Sequence, residues 1–229
     1  MRAYRAVILD LYYTLLHEAS TDAHEAVLEL VDSLGVSRGA WRAAWQATLD
    51  AADRGDFGSI VGRVRAVLST VGIANPDPAL VDRIAGLRLG SSYPVIYPDT
   101  RPALAELRKR GYRLGLISNI ASYRAHYLAE LEFDQALDAV ILSFDLRILK
   151  PDPRIYLAAT EKLGVSPSEC VFVDDQPKYL AGAAALGMTP VLINRPNRDR
   201  AAREEPAGVL SVETLQELLA WLPDRAGAG

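Results

Sequence analysis

The chain has one cysteine, two methionines and three histidines in 229 residues, and aromatic side chains make up only 7% of it. A single cysteine excludes a disulfide within the chain. Cys170 stands in the apolar run Cys170-Val171-Phe172-Val173, where its neighbours would desolvate a thiolate, so it reads as a core thiol rather than a nucleophile. His17, His24 and His126 form neither a metal-ligand spacing nor a triad, and only His17, near the first loop, invites inspection. An excess of one charge is also missing. Lys and Arg total 25 against 29 Asp and Glu, interspersed to a net charge of -4, which argues against nucleic acid or a membrane surface as partner. No apolar stretch approaches the ~20 residues of a membrane-spanning helix. Met1-Arg2-Ala3-Tyr4-Arg5 leads into a strand pattern without the layout of a signal peptide, so a cytoplasmic location is expected.

What is present is a hydrophobic content of 50%, enough to bury a large core, arranged in an alternating pattern. Ala6-Val7-Ile8-Leu9, Arg113-Leu114-Gly115-Leu116-Ile117, Ala139-Val140-Ile141-Leu142, Cys170-Val171-Phe172-Val173 and Thr189-Pro190-Val191-Leu192-Ile193 read as strands, with a weaker one at Gly208-Val209-Leu210. Helical patterns lie between them. One begins at Thr100 as its cap and ends at Gly111; others cover about 121–132, 153–163, 178–186 and 212–222, the last behind Ser211. Strand and helix in alternation predict an α/β fold, a doubly wound parallel sheet. From about His17 to Tyr93 no convincing strand is seen, and four helices are expected over roughly 21–34, 38–52, 57–71 and 78–92. This division gives a core of residues 1–16 and 94–229 with an inserted helical cap of 17–93. The tail, 223–229, reads as disordered.

Asp10 directly follows the first buried-strand pattern, at the edge where parallel sheets keep their active sites. Ser118-Asn119 follows the second strand, Lys150 precedes Pro151 at a helix start, and Asp174-Asp175 follows the strand at 170–173. Each has a plain structural alternative: Ser, Asn and Asp cap helices and turns, and a lysine can simply be solvated. Their recurrence in order, each at a predicted strand end or helix start, favours function. Two carboxylates beside Asp10, offset by Lys150 alone, would take up protons unless a cation held them.

Asp10-Leu11-Tyr12-Tyr13-Thr14, Ile117-Ser118-Asn119, Leu149-Lys150-Pro151 and Val173-Asp174-Asp175, in this order, resemble the four motifs of the haloacid dehalogenase superfamily. The resemblance covers nearly the whole chain. It implies a Rossmann-like core with a helical cap, and Asp10 as nucleophile. It also implies Ser118 and Asn119 on the transferring group, Lys150 as cation, Thr14 bracing the first loop, and Mg2+ held by Asp10, the Tyr12 backbone carbonyl, Asp174 and Asp175. Tyr12 departs from the superfamily's phosphatases, which carry an acid/base aspartate there, and matches its dehalogenases; a phenol near its ordinary pKa of ~10 is a poor base at neutral pH. Tyr13 replaces the glycine usual in those dehalogenases, and Arg42 falls roughly where they bind halide. Asp174-Asp175 departs from their Ser-Ser-Asn.

The expectation is a magnesium-dependent phosphatase of a small phosphorylated metabolite, monomeric or homodimeric. A metal-free 2-haloacid dehalogenase and a catalytically weak binding or scaffold relative are the alternatives. Trp41, Trp45, Arg54, Arg63 and Arg65 are candidates for the inner face of the cap, with Trp41 and Trp45 also one helical turn apart and able to pack on each other.

Overall fold

The computed structural model describes residues 4–196 and 206–223, so the expected disordered tail lies outside the described residues from 224 onward. Its strands are β1 (Ala6–Leu9), β2 (Leu16–Ser20), β3 (Ser92–Ile96), β4 (Arg113–Ser118), β5 (Ala139–Leu142), β6 (Cys170–Asp174), β7 (Thr189–Ile193) and β8 (Leu210–Val212). Six of them form one sheet of order β5-β4-β1-β6-β7-β8, and every pairing in it is parallel.

The apolar runs are continuous because both faces of this sheet are covered. Val7 and Leu9 point with Leu114, Leu116, Val171 and Val173 into one core, against the helices Thr100–Lys109 and Leu215–Trp221. Ala6 and Ile8 point the other way with Ile117, Cys170 and Phe172, against the helices Pro153–Leu163 and Pro177–Ala185. Cys170 is thus a core residue, and burial pushes its thiol up to about 12. The sheet is an α/β doubly wound one whose order reverses at β1. Leu9 lies in register with Leu116 on β4 and Val173 on β6, so the carboxyl ends of three strands meet at the reversal.

Between β2 and β3 the chain forms the helices Asp22–Ser33, Arg38–Ala47, Leu49–Asp53, Ile60–Thr70 and Pro78–Gly90; all but the short Leu49–Asp53 share a separate core including Val27, Val31, Trp41, Val64, Val67, Leu68, Val81 and Ile84. The expectation that 17–93 lacks strands is wrong. β2 and β3 pair antiparallel, with His17 against Val95 and Ser20 against Ser92. Leu-His-Glu-Ala-Ser carries little β signal of its own; its partner lies over seventy residues away, and pairing rather than local propensity makes the ribbon.

Other boundaries move for local reasons. The expected 38–52 helix breaks at Thr48, whose hydroxyl donates to the Trp45 carbonyl at 2.9 Å. The 121–132 helix is a short turn, Ser122–Arg124, followed by His126–Glu130. Thr100 is not a cap: its hydroxyl donates to the Leu15 carbonyl at 2.7 Å, tying the helix to the first loop. Thr214, not Ser211, caps the last helix by accepting from Glu217 N, because β8 extends to Val212. No helix of the described residues is long and apolar enough to cross a membrane.

Candidate active site

β1 delivers Asp10, whose backbone N–H still donates to the Val173 carbonyl at 2.9 Å, so the ladder holds the acid beside the end of β6. Asp174 closes β6, with Asp175 next to it; ligand oxygens of Asp10, Asp174 and Asp175 lie within 4.8 Å of one another, and all three residues are buried. Lys150 enters between two of them. Its Nζ donates at 2.6 Å to Asp10 Oδ1 and at 2.6 Å to Asp174 Oδ2, with the side chain fully enclosed. Burial alone would lower the Lys150 ammonium, but the two carboxylates outweigh it and raise the group above its ordinary 10.5. Burial raises Asp174 to about 7 despite Lys150, with the Asp10 charge adding to the rise.

Lys150 is held by its neighbours. Asn119 Oδ1 accepts from Lys150 N at 2.8 Å and its Nδ2 donates to Lys150 O at 3.2 Å, so this side chain clamps the lysine's backbone. Behind it, Gly182 lets the helix Pro177–Ala185 approach closely: a Cβ there would come 2.8 Å from Pro151 Cβ and 3.0 Å from the Tyr156 hydroxyl.

The end of β4 and the first loop supply further groups. Ser118 Oγ and Thr14 Oγ1 are buried without a hydrogen-bond partner, and the Thr14 carbonyl accepts from Arg195. Burial pushes the Tyr12 phenol above its ordinary 10.0, and nearby Arg124 pulls it only part of the way back. Tyr13 adopts φ 59, the left-handed region that favours glycine, a conformation costing about 1 kcal/mol in a residue with a Cβ.

Above these groups lies a cavity of about 350 Å³, lined below by Asp10, Tyr12, Asn119, Lys150 and Asp175 and on the helical side by Trp45, Asp53, Arg63, Arg88 and Tyr123. Arg124 also lines it and is ion-paired to Glu18. The sheet side of this arrangement brings together Asp10, Lys150, Asp174 and Asp175, with Ser118 and Asn119 at the end of β4.

Arg42 is not part of it. The helix Arg38–Ala47 buries Trp41 and Ala44, and Arg42, one residue round from Trp41, is turned to the exposed side. Trp41 packs within the helical core 5.8 Å from Trp45, Arg54 pairs with Asp56, Arg65 is exposed, and the His17 ring lies tilted against Tyr97. Of the candidates on the inner face, Trp45 and Arg63 line the cavity. Arg88 and Asp53 were missed. A signal existed for Arg88: with Val81, Ile84 and Ala85 it occupies the i, i+3, i+4, i+7 positions of one apolar stripe.

A family profile described as haloacid dehalogenase-like hydrolase matches residues 4–187. The chain belongs to the haloacid dehalogenase-like hydrolases. A Burkholderia cepacia (S)-2-haloacid dehalogenase is 32% identical over 203 residues, covering 83% of each chain. A Mycobacterium tuberculosis phosphatase is 39% identical over 107 residues, and a Methanopyrus kandleri glyceraldehyde 3-phosphate phosphatase 35% over 126. The matched part spans about half of each of these two phosphatases, at 49% and 54% of their lengths. Among solved structures, a haloacid dehalogenase-type phosphatase of Thermococcus onnurineus superposes with a TM-score of 0.64 at 26% identity, over 97% of this chain and 99% of that one. A Pseudomonas syringae 2-haloacid dehalogenase gives 0.67 at 25%, over 95% and 97%. This haloacid dehalogenase-like hydrolase therefore has relatives of both activities.

Proposed function

We propose that the chain is a magnesium-dependent phosphatase of a small phosphorylated metabolite, with Asp10 as nucleophile. The observation that carries this reading is the cluster of three buried carboxylates facing one ammonium. An all-oxygen donor set with excess negative charge suits a hard divalent cation, so the residues present fit the ion. Asp10, Asp174 and the Tyr12 carbonyl would hold it, with Asp175 on the ion or on a water bound to it. When bound, magnesium neutralises charge on the phosphoryl oxygens.

The chain's own groups do the rest. The Asp10 carboxylate forms a bond to phosphorus as the ester P–O bond breaks, and the alkoxide departs with the bonding electrons; water later cleaves the aspartyl phosphate. Ser118 Oγ, buried without a partner, donates to a phosphoryl oxygen, and Asn119 holds the Lys150 peptide so that the ammonium stays between Asp10 and Asp174. Thr14 braces the first loop, and the helices between β2 and β3 act as a cap over the cavity. Tyr12, its phenol raised by burial, neither protonates the leaving oxygen well nor activates water at neutral pH. Aryl and acyl phosphates, whose leaving groups need little protonation, are the fast substrates.

One residue favours a second reading. Tyr12 suits a metal-free 2-haloacid dehalogenase in which Asp10 displaces halide, because a departing halide needs no proton. A single panel decides: phosphate release from p-nitrophenyl phosphate with magnesium or with chelator, and chloride release from 2-chloropropionate. Magnesium-dependent phosphate release with covalently phosphorylated Asp10 found by mass spectrometry supports the phosphatase. Chloride release that persists in chelator selects the dehalogenase, and silence on every substrate selects a binding relative.

A further inference from the structure

The helical wall of the cavity carries a guanidinium, that of Arg88, with no counter-charge paired to it among the described residues. The guanidinium carbons of Arg63 and Arg88 each lie 4.1 Å from the centroid of the Trp45 ring. Arg63 is satisfied: it donates to Thr48 Oγ1 at 3.0 Å, the Trp45 carbonyl at 2.7 Å and the Tyr123 hydroxyl at 2.8 Å. Arg88 has no ion pair and no side-chain hydrogen bond among the described residues, and its Nε is buried without a partner. The carboxylates on the same wall do not pair with Arg88. Glu18 is ion-paired to Arg124, and Asp53, held up at about 7 by burial, makes no ion pair among the described residues. Burial, with Arg63 nearby, pushes the Arg88 guanidinium down to about 10, as an uncompensated cation requires.

An unpaired guanidinium whose Nε is buried costs stability and is retained where a ligand completes it. We propose that Arg88, backed by Trp45 and Arg63, is a specificity residue that binds a carboxylate on the leaving-group side of the substrate, so that the substrate is a short phosphomonoester bearing a carboxylate. This rests on the phosphatase reading above. A planar carboxylate matches the fork of a guanidinium, and a cavity of about 350 Å³ suits a metabolite of a few carbons rather than a large ester.

The test compares phosphoglycolate with ethyl phosphate, which differ by carboxylate against methyl, in the full chain with magnesium. The readout is the ratio of their kcat/KM values within each variant. The parent protein should favour phosphoglycolate by about 10- to 100-fold, Arg88→Met should bring the ratio to near one, and Arg88→Lys should restore part of it. A ratio near one in the parent, or an undiminished ratio in Arg88→Met, overturns the proposal. A bisphosphate of the same length favoured over phosphoglycolate overturns the carboxylate assignment. If no ester is hydrolysed, the phosphatase reading fails separately, and Arg88 is judged by titrating tryptophan fluorescence with phosphoglycolate. A saturable change in the parent that vanishes in Arg88→Met supports the subsite, and equal changes in both overturn it.

Discussion

Replacing Lys150 with methionine removes the one ammonium that lies between Asp10 and Asp174 while roughly keeping the volume. Both carboxylates contact Nζ at 2.6 Å, and the lysine is fully enclosed, so the variant leaves two buried acids without their counter-charge. Breaking a buried pair from one side costs about 3–5 kcal/mol. For a chain of this length each kcal/mol moves Tm by roughly 2 °C, giving a fall of about 6–10 °C. The pH dependence has a definite sign. In the parent, Lys150 is raised above 10.5, so its contribution is fully present below that pH and is lost only above it. In the variant, Asp174, already held up at about 7 by burial, loses the ammonium that lowers it; the folded state then binds more protons than the unfolded one, and stability is lost as pH rises through that window. Thermal unfolding in chelator should show a small deficit at pH 5 and the full one at pH 8, and millimolar magnesium should recover part of the latter. A variant as stable as the parent at pH 8, or one worse at pH 5 than at pH 8, would refute the reasoning.

Three other outcomes follow from the geometry. Burial holds Asp53 up at about 7, above the unfolded 3.8 and against the lowering by Arg63, so this acid subtracts stability as pH rises from 4 through 7. Asp53→Asn should raise Tm by about 2–4 °C at pH 8, allowing for its partial exposure, and leave it unchanged at pH 4; equal shifts at both would contradict this. Gly182→Ala gains about 1 kcal/mol of helix propensity but drives a Cβ into Pro151 and Tyr156, so a net loss of about 1–2 kcal/mol in urea unfolding is expected, and a stabilised variant would contradict the close approach. Tyr12→Asp restores an acid where the leaving oxygen departs, and should raise kcat/KM on an alkyl phosphate relative to p-nitrophenyl phosphate by about 100-fold; an unchanged ratio would remove Tyr12 from the account.

The sheet was legible because its strands are buried on both faces and read as unbroken apolar runs, and the site residues stand one step beyond those runs. Asp10, Ser118 and Asp174 could therefore be placed by counting along strands. The β2-β3 ribbon was not legible, since Leu16–Ser20 and Ser92–Ile96 acquire their structure only by pairing across a long loop. Asn119 shows another limit. Its position was readable, but its side chain's hold on the Lys150 peptide is a contact between residues 31 apart. The cavity's helical wall was half legible: Arg63 stood among the candidates, Arg42 was placed by loose analogy, and Arg88 needed the observation that a charge interrupts an apolar helical stripe.

The account depends most on a divalent ion held by Asp10 and Asp174. Calorimetric titration of magnesium into chelator-treated protein tests this directly, alongside Asp174→Asn as the comparison. Saturable binding to one site, weakened at least about tenfold in Asp174→Asn, is the predicted result. No binding to the parent at millimolar magnesium, or equal binding to both proteins, would contradict it.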